Sequence, residues 1–147
     1  MNFHLAQLNV ARLLKPIEDP SIDEFRNNLD RINSLAESSP GFVWRYQEEN
    51  GNATSAYLEG DPLLIPNLSV WENVEYLKQF TFQTVHVEFL RKRRLWFEKP
   101  TEAHMVLWWV EEGQFPDIHE AFARLKFLRK KGPSAKAFTF QKIFEPE

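Results

Sequence analysis

The sequence predicts an α+β fold in which helices pack on one antiparallel sheet. Three observations predict it: strand-like segments alternate apolar and polar residues, helical segments repeat apolar residues every three or four positions, and the two types interleave along the 147-residue chain. Their order is strand, helix, strand, strand, helices, strand, helix, strand. This order indicates a βαββαβ, ferredoxin-like sheet with helices on one face, extended by a further helix and strand.

The chain opens with a strand and a helix. Residues 3–11 alternate in apolar character as a half-buried strand does. A helix follows, since Ser21 and Glu24 stand at capping-box spacing before a run of apolar residues at helical intervals. The pair Pro40-Gly41 predicts its end.

Two further strands are predicted in the middle of the chain. Residues 42–47 alternate aromatic and other side chains, and Asn50-Gly51 marks the reversal after them. An irregular segment with a glycine and two prolines follows, and residues 67–71 predict the third strand.

The second half adds helices before and after one strongly apolar strand. Helices are expected from Asn73 and over residues 84–97, and residues 103–111 are apolar on both faces, as in a strand covered on both sides. Residues 116–120 repeat the capping signal at the start of a last helix. Alternation over residues 137–144 predicts a final strand.

Length and charge narrow the classes of function. One domain spanning residues 1–147 is expected, since a chain of this size buries roughly 70% of its surface on folding. No apolar run approaches the ~20 residues that a membrane span needs, and no secretory signal is recognisable at the N-terminus. Cysteine is absent, and a cytoplasmic protein is expected. The net charge of −3 argues against a nucleic-acid partner.

The high aromatic content predicts a second copy of the chain as partner. A sheet with helices on one face leaves the other face uncovered. Trp44 and Trp109 lie on strands with more apolar surface than proteins usually expose to solvent. Two sheets packed face to face, ~10 Å apart, would bury these residues. We therefore expect a homodimer with a ligand pocket where the side chains are small or polar.

Five parts of the sequence carry a family resemblance. They are Leu5-Ala6-Gln7-Leu8-Asn9, Ser69-Val70-Trp71-Glu72, His86 with residues 91–97, Leu107-Trp108-Trp109-Val110, and residues 132–140. Together they resemble an uncharacterised bacterial family of the dimeric α/β-barrel superfamily. The resemblance covers nearly the whole chain and implies a ferredoxin-like protomer in a homodimeric barrel, similar to the antibiotic-biosynthesis monooxygenases. It implies no established reaction.

Several kinds of catalytic site are not indicated by the spacing of residues. The histidines, His4, His86, His104 and His119, form no His-x-x-x-His pair, so no metal site is expected. The sequence contains no Gly-x-Ser-x-Gly elbow for a nucleophilic serine. Phosphate-loop and dinucleotide fingerprints do not occur either.

The basic run over residues 91–94, followed by Trp96 and Phe97, has two interpretations. Cations next to aromatic residues can bind nucleic acid, whereas basic residues near a helix C-terminus are more often solvated and complement the helix dipole. The negative net charge favours the second interpretation. Four consecutive helical residues span a full turn, so one of these arginines can point inward, and Arg94 is assigned to the candidate site.

His86 is the most informative titratable residue of the sequence. An imidazole with a near-neutral pKa can act as a general base or as an axial ligand of haem. The alternative is a core histidine that makes one hydrogen bond. The resemblance favours a site role, because His86 lies in one of the segments that carry it.

Strand amides and tryptophans complete the candidate site. Gln7 and Asn9 could orient a substrate carbonyl or stabilise an enolate oxygen, or they could form hydrogen bonds in a dimer interface. Trp44, Trp71 and Trp109 offer flat walls to an aromatic ligand, although core packing is the commoner role of tryptophan.

Two functions from different classes are compatible with these residues. The first is a small-molecule enzyme or binder with an aromatic-lined pocket for an apolar or aromatic compound. Family analogy makes a monooxygenase-like reaction the leading activity, with no cofactor or with haem. The second is a non-catalytic dimeric module with a structural or ligand-sensing role. The residues assigned to the first are His86 and Asn9 as catalytic groups and Gln7, Trp44, Trp71, Arg94 and Trp109 as substrate contacts.

Overall fold

A computed structural model of the protein describes residues 2–47, 61–84 and 87–147. None of the helices in these ranges is long and apolar enough to cross a membrane. A 3₁₀ turn, Pro20–Ile22, leads into the first helix, and a π-helical turn, Phe80–Thr84, follows the second. The strands and α-helices of the described residues are β1 (Phe3–Arg12), α1 (Asp23–Glu37), β2 (Phe42–Arg45), β3 (Leu64–Trp71), α2 (Val74–Gln79), α3 (Val87–Trp96), β4 (Met105–Glu111) and α4 (Ile118–Lys131).

The four strands form one antiparallel sheet in the order β2-β3-β1-β4. β1 is central, and its Leu8 lies opposite Leu68 of β3 and Val106 of β4. α1 connects β1 to β2, and α2 with α3 connects β3 to β4, which is the βαββαβ arrangement. The predicted α+β, ferredoxin-like fold is confirmed. The sheet of this one chain is open and does not close into a barrel, so the dimeric barrel stays a prediction.

The connecting helices lie on the sheet face that carries Leu5 and Trp71. Phe25 of α1 packs with Ile65 of β3 in one buried cluster. Leu77 of α2 packs with Leu5 and Trp71 in a second cluster on the same face. This face is called the cleft face below, because the two clusters leave a cleft between them.

The opposite sheet face is covered by α4. Its buried residues repeat every three or four positions, so they form one apolar stripe on the helix. The stripe packs on alternate residues of β1, including Ala6 and Leu8, and on Trp108 of β4. This face was expected to be uncovered, and the additional C-terminal helix covers much of it. The stripe consists of Ile118, Ala121, Phe122, Leu125 and Leu128.

The helix N-termini agree with the predicted caps in one case and differ in another. The Asp117 side chain accepts a hydrogen bond from Glu120 N at 2.8 Å, as the sequence predicts for α4. Ahead of α1, however, Asp19 caps the 3₁₀ turn: its carboxylate accepts from Ser21 N at 2.9 Å, and Ile22, the N-cap residue of α1, makes no side-chain capping bond. The predicted capping role of Ser21 is therefore wrong, because the 3₁₀ turn moves the start of the helix to Asp23.

The C-terminal segment is not the strand that alternation predicts. Phe138 makes an isolated antiparallel bridge with Leu107 at the β4 edge, and Thr139 bridges only to Lys142, three residues on. The segment therefore turns back on itself instead of extending the sheet. β3 is longer than predicted and begins at Leu64. The predicted turn at Asn50-Gly51 lies outside the described residues.

Candidate functional site

A cleft of about 700 Å³ lies between the cleft face of the sheet and the helices that cover it. β1 and β3 form its floor, α1 forms one wall, and the π-helical turn and the end of α3 contribute to the rest of its lining. Its volume is in the range of ligand pockets, which is ~300–1,000 Å³. The sequence places polar groups at its floor and apolar groups at its wall.

Neighbouring strands supply the polar floor. Asn9 of β1 lies opposite Asn67 of β3, and Gln7 lies opposite Ser69, so the four side chains share the cleft face. Gln7 is only 2% exposed. A buried amide of this kind needs hydrogen-bond partners, and the neighbouring strands provide them.

The floor side chains form one hydrogen-bonded network. Gln7 Nε2 donates to Ser69 Oγ at 2.8 Å and to Asn67 Oδ1 at 2.9 Å. Gln7 Oε1 accepts from Asn9 Nδ2 at 3.0 Å. These are neutral groups, so they can orient a polar atom of a ligand but do not themselves supply a charged base.

Trp71 closes one end of the network and of the cleft. Its Nε1 donates to Ser69 Oγ at 2.9 Å, and its ring stacks on Phe80 with a centroid distance of 5.1 Å. Phe42 meets the same ring edge-on at 5.5 Å. The Trp71 side chain is thereby held in one orientation, with an aromatic plane next to a polar floor.

The α1 wall is mainly apolar, with Asn33 as its polar member. Leu29, Ile32 and Ala36 line the cleft and follow Phe25 at helical spacing, about one, two and three turns after it. The ring of Phe25 meets Phe97 edge-on at 4.8 Å and so connects the wall to the chain that follows α3. A ligand in the cleft would therefore contact aliphatic side chains on one side and amides on the other.

Basic side chains lie at the mouth of the cleft. Arg93 and Arg94, from the last turn of α3, line it together with Lys99 and His104. The pKa of His104 is lowered, first by burial and then by repulsion from Arg93, Arg129 and Arg94. A lowered pKa keeps the imidazole neutral around pH 7.

Four of the residues assigned from the sequence meet in this cleft: Gln7, Asn9, Trp71 and Arg94. Trp44 and Trp109 do not line it. Trp44 pairs with Val70 on the opposite face and stacks on Phe115, with 5.1 Å between the ring centroids.

Trp109 lies at the β4 edge, where its Nε1 donates to Phe144 O at 2.7 Å. Of the three tryptophans assigned to the pocket, only Trp71 lines the cleft, because strand alternation and strand position place Trp44 and Trp109 on other surfaces. His86 lies outside the described residues.

Ser69 and Asn67 were not assigned from the sequence, although they complete the floor. The signal was present, since Asn67, Ser69 and Trp71 alternate along β3 and so share one face. Arg93 was part of the basic run but was not selected. No sequence motif includes His104, and only the fold brings it next to α3.

We predict that Ser69→Ala destabilises the protein. Without Oγ, the indole Nε1 of Trp71 and the amide of Gln7 lose their common acceptor in a buried site, which costs about 1–3 kcal/mol. Thermal unfolding followed by circular dichroism should show a Tm lower by roughly 3–9 °C. Ser34→Ala, at an exposed position of α1, is the matched control. Equal Tm values for the two variants would contradict a structural role of the Ser69 hydroxyl.

Comparisons with known proteins give one match. Residues 4–147 match a protein family described as a domain of unknown function, DUF3291. No curated protein and no solved structure matches the chain.

Proposed function

The chain belongs to the DUF3291 family, and we propose that it binds a small apolar or aromatic molecule in the cleft between the sheet and α1. The observation that carries the proposal is the convergence of Gln7, Asn9 and Ser69 on the floor of a cleft of about 700 Å³. Ligand sites typically combine a mostly apolar lining with a few fixed polar groups.

The proposed ligand lies between unlike surfaces. Its apolar body contacts the Leu29 and Ile32 side chains, and Trp71 lines the cleft next to it. A carbonyl or hydroxyl group on it faces the amide floor. Ser69 Oγ already accepts from Gln7 and Trp71, so its own hydrogen is available to donate to such a group.

A monooxygenase-like reaction in the same cleft, with no cofactor or with haem, is the leading activity by analogy with the antibiotic-biosynthesis monooxygenases. The floor residues favour orientation of a ligand over proton transfer, because they are neutral amides and a hydroxyl. His86, the assigned base or haem ligand, lies outside the described residues. Binding is therefore the function that the cleft itself supports.

We expect Ile32→Trp to weaken binding of the uncharged fluorescent probe N-phenylnaphthylamine strongly. Ile32 lines the cleft from the middle of α1, and an indole there would fill much of the ligand's space. The dissociation constant, measured by direct excitation of the probe, should rise at least about tenfold, the effect of ~1.4 kcal/mol.

Ser34→Trp is the matched control for this experiment. It adds the same side chain two residues further along α1, at an exposed position that does not line the cleft. Its affinity for the probe should equal that of the wild type. If Ile32→Trp binds the probe as tightly as Ser34→Trp, the cleft is not the binding site and the proposal fails.

We also propose that the protein is a homodimer, as expected from the sequence, with a smaller contact surface than a bare sheet face. α4 packs mainly on β1 and β4, and the Trp44–Phe115 pair next to it has Phe115 51% exposed. Sedimentation velocity at micromolar concentration should show a dimer, and Phe115→Ser should shift it towards monomer. A wild-type monomer would contradict the proposal.

A further inference from the structure

The charges around the cleft are unequally neutralised. Among the described residues that line it, four are basic and two are acidic. Both acidic residues form ion pairs with arginines that do not line the cleft: Glu98 with Arg12, and Glu102 with Arg129 at 3.5 Å. The negative charges at the mouth are therefore already balanced from outside.

Three basic groups at the mouth lack such a partner. Arg93, Arg94 and Lys99 make no side-chain hydrogen bond or ion pair with any residue that the structure describes. A guanidinium group can bind a carboxylate or sulfonate through two parallel hydrogen bonds. The mouth therefore holds positively charged hydrogen-bond donors that have no partner among the described residues, next to an apolar interior.

The titration of His104 agrees with this distribution. Repulsion from Arg93 and Arg94 contributes to the lowered pKa of its imidazole, after burial. Positive potential therefore reaches His104, which itself lines the cleft. The whole chain carries a net charge of −3, so the positive mouth is a local feature.

We infer that the ligand of the cleft is an amphipathic organic anion, whose apolar body lies against α1 and Trp71 and whose anionic group is bound by Arg93 and Arg94. This inference rests on the proposed binding function and adds the chemical class of the ligand. An uncharged apolar compound would leave both guanidinium groups unused. A small inorganic anion would leave the apolar wall unused.

Two probes that differ by one anionic group test the inference. Anilinonaphthalene sulfonate carries the same ring system as N-phenylnaphthylamine and adds a sulfonate. The wild-type protein should bind the sulfonate at least about tenfold more tightly, the difference that a charge-assisted contact of ~1.4 kcal/mol gives. Added sodium chloride should weaken binding of the sulfonate and leave binding of the uncharged probe unchanged, because salt screens exposed charges.

The double variant Arg93→Gln/Arg94→Gln locates the effect. It should lose most of the preference for the sulfonate while its affinity for the uncharged probe changes less than about twofold. Lys130→Gln/Lys131→Gln is the matched control, since it removes the same charge from exposed residues in the last turn of α4. This control should keep the wild-type preference.

The outcomes separate the inference from the proposed function. If neither probe binds in the cleft, the proposed function itself fails. If the uncharged probe binds the wild type and binds Ile32→Trp much more weakly, but the sulfonate binds the wild type no more tightly than the uncharged probe, only the inferred class of ligand is overturned. A sulfonate preference that survives Arg93→Gln/Arg94→Gln, or is lost equally in the α4 control, would also overturn it.

Discussion

Trp71→Ala is expected to lower the Tm by on the order of 10 °C, because it leaves a large cavity at the end of the cleft and costs about 3–5 kcal/mol. The side chain is 1% exposed and packs against Phe42 and Phe80. Its loss also frees Ser69 Oγ from one hydrogen bond. Differential scanning calorimetry measures the effect directly.

Trp71→Phe separates packing from the hydrogen bond. A phenyl ring keeps most of the aromatic contact and removes Nε1, so the expected loss is about 1–2 kcal/mol. Probe binding should be weaker in Trp71→Ala than in Trp71→Phe, since only the alanine variant lacks an aromatic wall. A Tm of Trp71→Ala within a degree or two of wild type would show that this end of the cleft is not a packed core.

Gly41→Ala is the second substitution with a large expected effect, about 2–4 kcal/mol of destabilisation. Gly41 has a φ of +82°, which side chains other than glycine rarely adopt. A Cβ there would also overlap Cβ and Cγ of Tyr76. The backbone cannot easily move away, because Gly41 O accepts from Glu72 N at 2.8 Å.

Gly113→Ala is the matched control for Gly41→Ala. Gly113 has a φ of +90°, and a Cβ there would meet no atom within 4 Å. Its substitution therefore carries the backbone strain alone, about 1–2 kcal/mol. Urea unfolding of both variants should show the larger loss for Gly41→Ala. Equal losses would mean that Tyr76 moves aside at little cost.

Elements with a strong local signal could be predicted from the sequence. The alternation of β1 and the apolar repeat of α4 each specify one buried face. The existence of both elements, and their type as strand and helix, were therefore predictable. The C-terminal segment shows where such a signal misleads. Phe138 is buried and Phe144 half-buried because their rings pack on each other and Phe138 packs on Trp109. A compact turn can therefore bury aromatic residues as a strand does.

The part of the candidate site that lies on a single strand was predictable from the sequence. Gln7 and Asn9 are two apart on β1, so their shared face was evident. Their partners Asn67 and Ser69 depend on the register between β1 and β3, which no local pattern specifies. For Trp44, aromatic character suggested a ligand wall, whereas pairing with Val70 places it on the opposite face.

The central position of β1 makes the floor of the cleft late to assemble. Gln7 and Ser69 are 62 residues apart in the chain, and the other neighbour of β1, β4, begins only at Met105. Contacts this distant in sequence are slow to form, since the intervening chain must first close a long loop. During synthesis from the N-terminus, α1 can therefore form before β1 has either of the strands with which it pairs.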